Sequence, residues 1–195
     1  MSIDVRILTG PELVGALSDV AGLRISVFRD FPYLYDGGEA YERRYLAAYR
    51  DAPGAILVGA FDGDKLVGAS TGTPLEHHDP AFAAPLADAG YDVAKIFYCA
   101  ESVLLKPYRG QGVGHRFFDI REEHARGLGL EYAAFCGVLR PEDHPSRTAD
   151  YFPLDGFWSK RGYSPIPGAI AHFDWKEVGT TEEVTHDLQF WIRQL

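Results

Sequence analysis

The sequence predicts an α/β fold, a mixed β-sheet with helices on both faces, formed by the 195 residues as one domain. Three observations predict it. Two apolar segments flank the turn Asp62-Gly63-Asp64-Lys65, which is a hairpin signal. The near-continuous apolar run Ile96–Leu105 reads as one strand buried on both faces. An amphipathic stretch, Gly112–Leu128, separates that run from a second one, Tyr132–Leu139. The three together read as a βαβ crossover with parallel strands.

The other elements follow in order. Ile3–Leu8 is a first strand, ended by Thr9-Gly10-Pro11, where the proline opens a helix. That helix carries Leu13, Leu17, Val20, Leu23 and Val27 at helical spacing. Phe28–Tyr35 is a proline-interrupted aromatic stretch, too rich for a plain loop. Glu39–Arg50 is a second helix, with Glu42, Arg43 and Arg44 expected on a solvated face. Ala55–Phe61 and Leu66–Thr73 are the hairpin strands, and His77–Asp92 is a Pro/Ala-rich connection with room for a short helix. In Gly112–Leu128 the stripe is Val113, Phe117, Ile120 and Leu128, closed by Gly127 and Gly129. Pro141–Pro153 is a loop, Phe157–Arg161 a short helix, and Ala169–Val178 and His186–Ile192 are final strands. Leu188, Phe190, Trp191 and Ile192 put apolar residues on both faces of the last strand. It is expected to be covered, either by a neighbouring element or in a homodimer.

Composition narrows the function. Hydrophobic residues are 46% of the chain, enough for a substantial core. The net charge of -9 argues against a nucleic-acid-coating surface, because phosphate binding runs on clustered basic residues. No apolar run approaches the roughly 20 residues of a membrane span, and residues 1–10 lack the pattern of a signal peptide. A cytoplasmic protein with no membrane partner is the expectation. Cys99 and Cys136 are too few for a disulfide scaffold, and His77-His78-Asp79 lacks a regularly spaced third ligand, so no metal is expected.

The informative segment is Arg109-Gly110-Gln111-Gly112-Val113-Gly114, between a buried strand and an amphipathic helix. Alternating glycines at a helix start expose successive backbone N–H groups, and the helix dipole adds partial positive charge. That is a pocket for phosphate oxygens, and it needs few basic side chains. A P-loop would need Lys-Ser/Thr after the last glycine, where His115-Arg116 stand. A dinucleotide fold would want its glycines after the first strand.

These residues resemble the GNAT N-acetyltransferase family, whose hallmark Arg/Gln-x-x-Gly-x-Gly/Ala is matched by Arg109, Gly112 and Gly114. The run Glu101–Gly112 looks like that family's fourth strand and pyrophosphate loop. Phe157-Trp158-Ser159-Lys160-Arg161-Gly162-Tyr163 fits a second family mark, an aromatic pair, three residues, then Gly-aromatic. The resemblance implies acetyl-CoA as co-substrate, in a cleft where strands 96–105 and 132–139 splay apart. Backbone groups of Val103, Leu104 and Leu105 would hold the pantetheine arm. The turn Arg109–Gly114, through the N–H groups of Gln111, Gly112, Val113 and Gly114, would hold the pyrophosphate.

The implied reaction needs a neutral amine. Glu101 interrupts an otherwise apolar strand beside the pantetheine segment, so it is the candidate general base, and burial would raise its basicity. Family members often place a Tyr four residues before the second-motif glycine to protonate the departing thiolate. Here Trp158 stands there, and an indole N–H gives up no proton at neutral pH. Tyr151 and Tyr163 are the substitutes within the sequence. In the same family the connection between the first two helices often walls the acceptor pocket. By that resemblance Arg29, Tyr33 and Tyr35, with Arg140, His144 and Arg147, would line it, implying an acceptor with a carboxylate or phosphate beside its amine. The expected activity is acetyl transfer to a small-molecule amine. The rivals are a protein-amine acetyltransferase and a non-catalytic acyl-CoA-binding protein.

Overall fold

The computed structural model describes residues 3–195. Its strands are β1 (Asp4–Leu8), β2 (Ile56–Asp62), β3 (Lys65–Pro74), β4 (Ile96–Tyr98), β5 (Ser102–Leu104), β6 (Tyr132–Val138), β7 (Ser164–Lys176) and β8 (Glu183–Gln194). They form one sheet in the order β1-β2-β3-β4-β6-β8-β7, with β5 also pairing β3. β4 and β6 are parallel, as the crossover requires, and the other pairs are antiparallel.

Five helices pack on the sheet: α1 (Gly10–Phe28), α2 (Glu39–Asp51), α3 (Pro80–Asp88), α4 (Val113–Gly127) and α5 (Asp155–Lys160). α3 fills the Pro/Ala-rich connection, and the Asp79 carboxylate caps it by accepting from the Ala81 N–H at 2.9 Å. The faces divide by residue pattern. α1 and α2 bury Val20, Leu23 and Leu46 against Leu57, Ala69 and Val103. α4 buries Val113, Phe117 and Ala125 against Val58, Phe97 and Ala133 on the other face.

The run 96–105 is two strands rather than the single strand expected. Thr73 faces Tyr98, whereas Ser70 faces Ser102, so three steps along β3 are matched by four along the run. One extra residue sits within Cys99–Glu101, which makes a β-bulge. The ladder continues across it: Ala100 N–H donates to Thr71 O and Thr71 N–H to Glu101 O, both at 3.1 Å. Arg121 of α4, almost wholly buried, stitches the bulge from the α4 face. Its Nη1 donates to Thr71 O (3.1 Å) and Glu101 O (3.0 Å), and its Nη2 donates to Ser102 Oγ (2.8 Å).

The bulge also forks the sheet. β4 stays with β6 up to Tyr98 and Ala134, with Cys99 N–H on Ala134 O at 2.8 Å. Beyond that point β5 keeps to β3 while Phe135–Val138 keeps to β8. Apolar repetition along 96–105 reports burial, but periodicity carries no record of a one-residue insertion.

The last strand is no edge. β8 lies between β6 and β7, which pair its two edges along Leu188–Ile192, and Leu188, Phe190, Trp191 and Ile192 are buried within the chain. That removes the open apolar edge on which the homodimer expectation rested.

Candidate functional site

The fork has a glycine turn at its open end. Gly110 and Gly112 have φ of +76° and +79°, in the left-handed region, and a Cβ added at either would meet nothing within 4 Å. Conformation, rather than local crowding, calls for glycine at these two positions. At Gly114 an added Cβ would touch Phe157 Cζ at 3.6 Å, an ordinary contact. Gly112 starts α4, and the first intrahelical bond is Arg116 N–H to Gly112 O at 3.2 Å. The N–H groups of Val113, Gly114 and His115 therefore open the helix without an intrahelical acceptor, as an anion site requires. Gln111 Nε2 donates to Pro107 O (3.1 Å) and Arg109 Nε to Leu104 O (3.1 Å), bracing the turn. These groups fit a pyrophosphate.

The inner edge of the fork alternates. Thr71 N–H to Glu101 O and Leu105 N–H to Val67 O turn the main-chain groups of 101, 103 and 105 toward β3. Those of Ser102 and Leu104 face the fork. Of the expected pantetheine-binding segment, Val103 is a core residue facing β3, and Leu105 spends its N–H on Val67 O and its carbonyl on the Tyr108 N–H. Ser102 and the Leu104 N–H offer the free edge, while Leu104 O is held by Arg109 Nε. On the opposite wall the Trp158 ring packs 4.9 Å from Phe135 and 5.2 Å from Trp191. It sits where a Cβ on Gly137 would lie only 2.9 Å from its Cη2.

At the apex, the Glu101 side chain is turned toward α1 and α2. It is 3% exposed and far from isolated. Arg24 Nη1 lies 2.8 Å from Glu101 Oε2, and the Tyr45 hydroxyl donates to the same oxygen at 3.0 Å. Arg24 Nε also donates to Glu42 Oε2, whose Oε1 accepts from the Tyr35 hydroxyl at 2.9 Å. Glu101 Oε1 is buried with no hydrogen-bond partner. Glu101 is buried and, as a carboxylate in an apolar strand requires, paired, and only one of its oxygens is free. Burial opposes the charge on Arg24, but the carboxylates of Glu101 and Glu42 outweigh it and hold the guanidinium above its ordinary value.

A hydrogen-bond chain leads away from Glu101. Tyr45 and Tyr49 hydroxyls are 3.0 Å apart, and Tyr49 Oη is 3.1 Å from His78 Nε2. One arrangement of hydrogens satisfies all three contacts. The carboxylate only accepts, so Tyr45 spends its hydrogen on Glu101, Tyr49 donates to Tyr45, and His78 Nε2–H donates to Tyr49. Nδ1 of that neutral imidazole, buried and unpartnered, holds the bare lone pair. Burial and the Glu101 charge push both phenols well above their ordinary range. Burial outweighs nearby Glu101 and Asp79 and pulls His78 below its ordinary value.

With this geometry in place, the comparisons decide the family. Residues 23–149 match the model of the Acetyltransferase (GNAT) family. The chain belongs to the GNAT acetyltransferase family. No curated protein matches its sequence. Among solved structures, a ribosomal-protein-alanine N-acetyltransferase from Brucella melitensis superposes with TM-score 0.63 at 12% identity, covering 98% of this chain and 99% of that one. A GNAT-family acetyltransferase from Streptococcus pneumoniae gives 0.62 at 16%, covering 100% of both chains. The yncA structure from Salmonella typhimurium, determined with its cofactor acetyl-CoA, gives 0.62 at 10%, covering 100% of this chain and 95% of that one. At these identities the likeness concerns the fold.

In this GNAT chain the expected acceptor residues come together only in part, and mostly in packing roles. Phe31 gathers the loop after β6, with its ring 5.4 Å from His144 and 4.7 Å from Tyr151, over which Arg147 lies at 5.2 Å. Arg140 donates to Pro32 O (2.7 Å) and Tyr33 O (3.1 Å) and pairs with Glu177 at 2.6 Å. It pins the aromatic strap to the end of β7, helped by Trp175 Nε1 on Tyr33 O at 3.0 Å. Arg29 is exposed and paired with Asp36 at 3.0 Å. Tyr33 packs on Phe28 and Trp175, and Tyr35 holds Glu42. The free cations expected for an acceptor's acidic group are thus corrected for Arg29 and Arg140, which already have carboxylate partners.

Tyr163 is a core residue bonded to Glu122 at 3.0 Å, which removes it as a thiolate acid. Glu42, expected on a solvated face, is fully buried, while Arg43 of the same run is exposed. Sequence reasoning missed Arg24, Glu42, Tyr45, Tyr49 and His78. Tyr41, Tyr45 and Tyr49 at four-residue spacing carried a signal, since three phenols on one helix face sit poorly with a purely solvated surface. Among the described residues no group of three His, Cys, Asp or Glu side chains is placed to hold a metal, and no helix is long and apolar enough to cross a membrane.

Proposed function

We propose that this chain transfers the acetyl group of acetyl-CoA to the amine of a small molecule, with Glu101 as the general base. The carrying observation is the fork, with a glycine turn at its open end and, at its apex, a buried carboxylate that keeps one oxygen free. Acetyl-CoA would supply an activated thioester. The N–H groups opening α4 would hold its pyrophosphate, and the Ser102 main-chain groups with the Leu104 N–H would hold the pantetheine as an added strand is held.

An alkylammonium of pKa about 10.4 must lose a proton at a cost of about 4 kcal/mol at neutral pH. Glu101 Oε1 would take it, since Oε2 is engaged by Arg24 and Tyr45. The nitrogen would then form the C–N bond as the C–S bond breaks; the sulfur would leave with the bonding electrons and take up the second proton that the new amide nitrogen sheds, directly or through solvent, to give the CoA thiol. A thiol of pKa about 8.5 is a fair leaving group, so Trp158 in place of a phenol is no obstacle. The strap pinned by Arg140 closes the acceptor side between α1 and β7, which favours a compact acceptor over an extended peptide.

Thiol release from acetyl-CoA, followed across a panel of amines, tests the reading. Amine-dependent release is expected. Tight CoA binding with no release for any amine would identify a non-catalytic acyl-CoA-binding protein instead.

A further inference from the structure

Resting on the acetyl-transfer reading, we infer that the acceptor is a primary amine on an apolar or aromatic body with no acidic group of its own. The apex of the fork is built to receive a cation. Arg24 stands between two carboxylates, Glu42 and Glu101, so this buried group carries one formal negative charge in excess. Glu101 Oε1, in a side chain more than nine-tenths buried, is an acceptor without a donor. An ammonium supplies both the missing charge and the missing hydrogens.

The charged and titratable groups facing this place point the same way. From α1, Arg24 is engaged by both carboxylates. From α2, the hydroxyls of Tyr45 and Tyr49 are committed to the chain ending on Glu101. Tyr35, from the strap, donates to Glu42. His78, before α3, is kept neutral at pH 7 by burial. From the opposite face of the sheet, Arg121 spends its donors on Phe117 O, Thr71 O, Glu101 O and Ser102 Oγ. Around the strap, Arg140 pairs with Glu177 and Arg29 with Asp36, and Arg147 lies over the Tyr151 ring, beyond Phe31 on the loop after β6.

The site therefore offers a free acceptor beside an excess negative charge, which favours a cation and repels a carboxylate. A carboxylate next to the acceptor's amine would be desolvated beside Glu101 and would add to a charge already in excess. The surroundings of the pair are aromatic, with the Tyr45 ring 4.3 Å and the Phe28 ring 5.1 Å from the Arg24 guanidinium carbon, and an apolar or aromatic body suits such walls.

Matched acceptors test this: 2-phenylethylamine against phenylalanine, and tyramine against tyrosine, each pair differing by one carboxylate. By thiol release, kcat/KM for the amine should exceed that for the amino acid at least tenfold, and equal or reversed preference would overturn the inference. Calorimetry on the CoA complex, which has no acetyl group to transfer, supplies a readout independent of turnover, with 2-phenylethylammonium and 3-phenylpropionate as probes. The cation should bind at least tenfold tighter, and Glu42→Gln, which cancels the excess charge and spares Glu101, should shrink that ratio at least fivefold. Cation preference without thiol release from any amine would sink the transferase reading and leave this inference standing. Release with the anionic probe bound as tightly as the cationic one would sink the inference alone.

Discussion

Arg24 Nη1 of α1 sits 2.8 Å from Glu101 Oε2 at the apex of the sheet fork, and neither side chain is more than 10% exposed. The pair joins a helix to the β-bulge, and it orients the carboxylate so that one oxygen is held and the other is left free. Because both charges are desolvated, removing one partner is far more costly than the pair is stabilising. Arg24→Met should therefore lower stability by about 3–5 kcal/mol, leaving two carboxylates uncompensated. Urea unfolding of the variant checks this, and a loss below 1 kcal/mol would show that the pair is solvated.

Glu101→Gln separates chemistry from structure. Gln keeps the size and one acceptor oxygen for Arg24 and Tyr45 but takes up no proton. Turnover should fall by roughly 10²–10⁴-fold. CoA affinity should stay within twofold, and raising the pH should partly restore the rate by supplying neutral amine from solution. A folded variant with unchanged turnover at pH 7 would end the general-base assignment.

The pyrophosphate turn makes a graded prediction. Gly112→Asp brings a side chain and a negative charge to a residue with φ of +79°, and CoA binding should weaken by a few kcal/mol, on the order of 10²-fold or more. Gly114→Ala adds only an ordinary contact with Phe157 at 3.6 Å and should keep the fold intact. Calorimetry with CoA on both variants decides. Unchanged affinity in Gly112→Asp would place the phosphates elsewhere.

Most of the scaffold was legible because hydrophobic periodicity reports burial, and turn residues punctuate it. The hairpin at Asp62–Lys65, the crossover through α4 and the glycine turn all left such marks. The bulge left none, because one inserted residue at Cys99–Glu101 changes register without changing composition. The buried polar group was hidden for a different reason. Arg24 and Glu42 are 18 residues apart, and each alone looks like helix surface. Only the packing of α1 on α2 shows that they desolvate each other. Arg140 and Glu177 were invisible as a pair in the same way, which is why Arg140 read as a free cation.

Trp158 and Gly137 are coupled by shape. A methyl on Gly137 would come within 2.9 Å of the Trp158 ring edge, closer than real carbon contacts, so Gly137→Ala should cost about 1–3 kcal/mol by overpacking. Trp158→Tyr shortens the side chain there and places a phenol at the fork wall. The double variant should be more stable than the sum of the single effects allows, by at least about 0.5 kcal/mol in a double-mutant cycle. Simple additivity would mean that the ring moves aside freely.

His78 sets an acid limit on stability. Burial lowers its folded-state pKa below the unfolded value of about 6.5, so below that value the unfolded chain binds the proton more readily. The stability contributed by the neutral imidazole is present above the unfolded value and is lost progressively as pH falls below it. His186, also held down by burial and by Arg140, adds in the same window. The lowered carboxylates Asp36, Asp51 and Asp150 act only at more acid pH, around and below their ordinary pKa near 4, so the histidines can be read separately. Melting temperature measured from pH 7.5 to 5 should fall for the wild type. It should fall less for His78→Gln, whose amide can still donate to Tyr49 and carries no titrating group. The hydrogen-bond chain adds a second readout, because protonating Nδ1 strengthens donation from Nε2 along Tyr49 and Tyr45 and makes Glu101 a weaker base. The acid limb of the pH–rate profile should therefore steepen in the wild type and become that of a single ionisation in Tyr49→Phe, where the chain is cut and Tyr45 still holds Glu101. Identical acid limbs in the two proteins would mean that His78 is linked to stability alone.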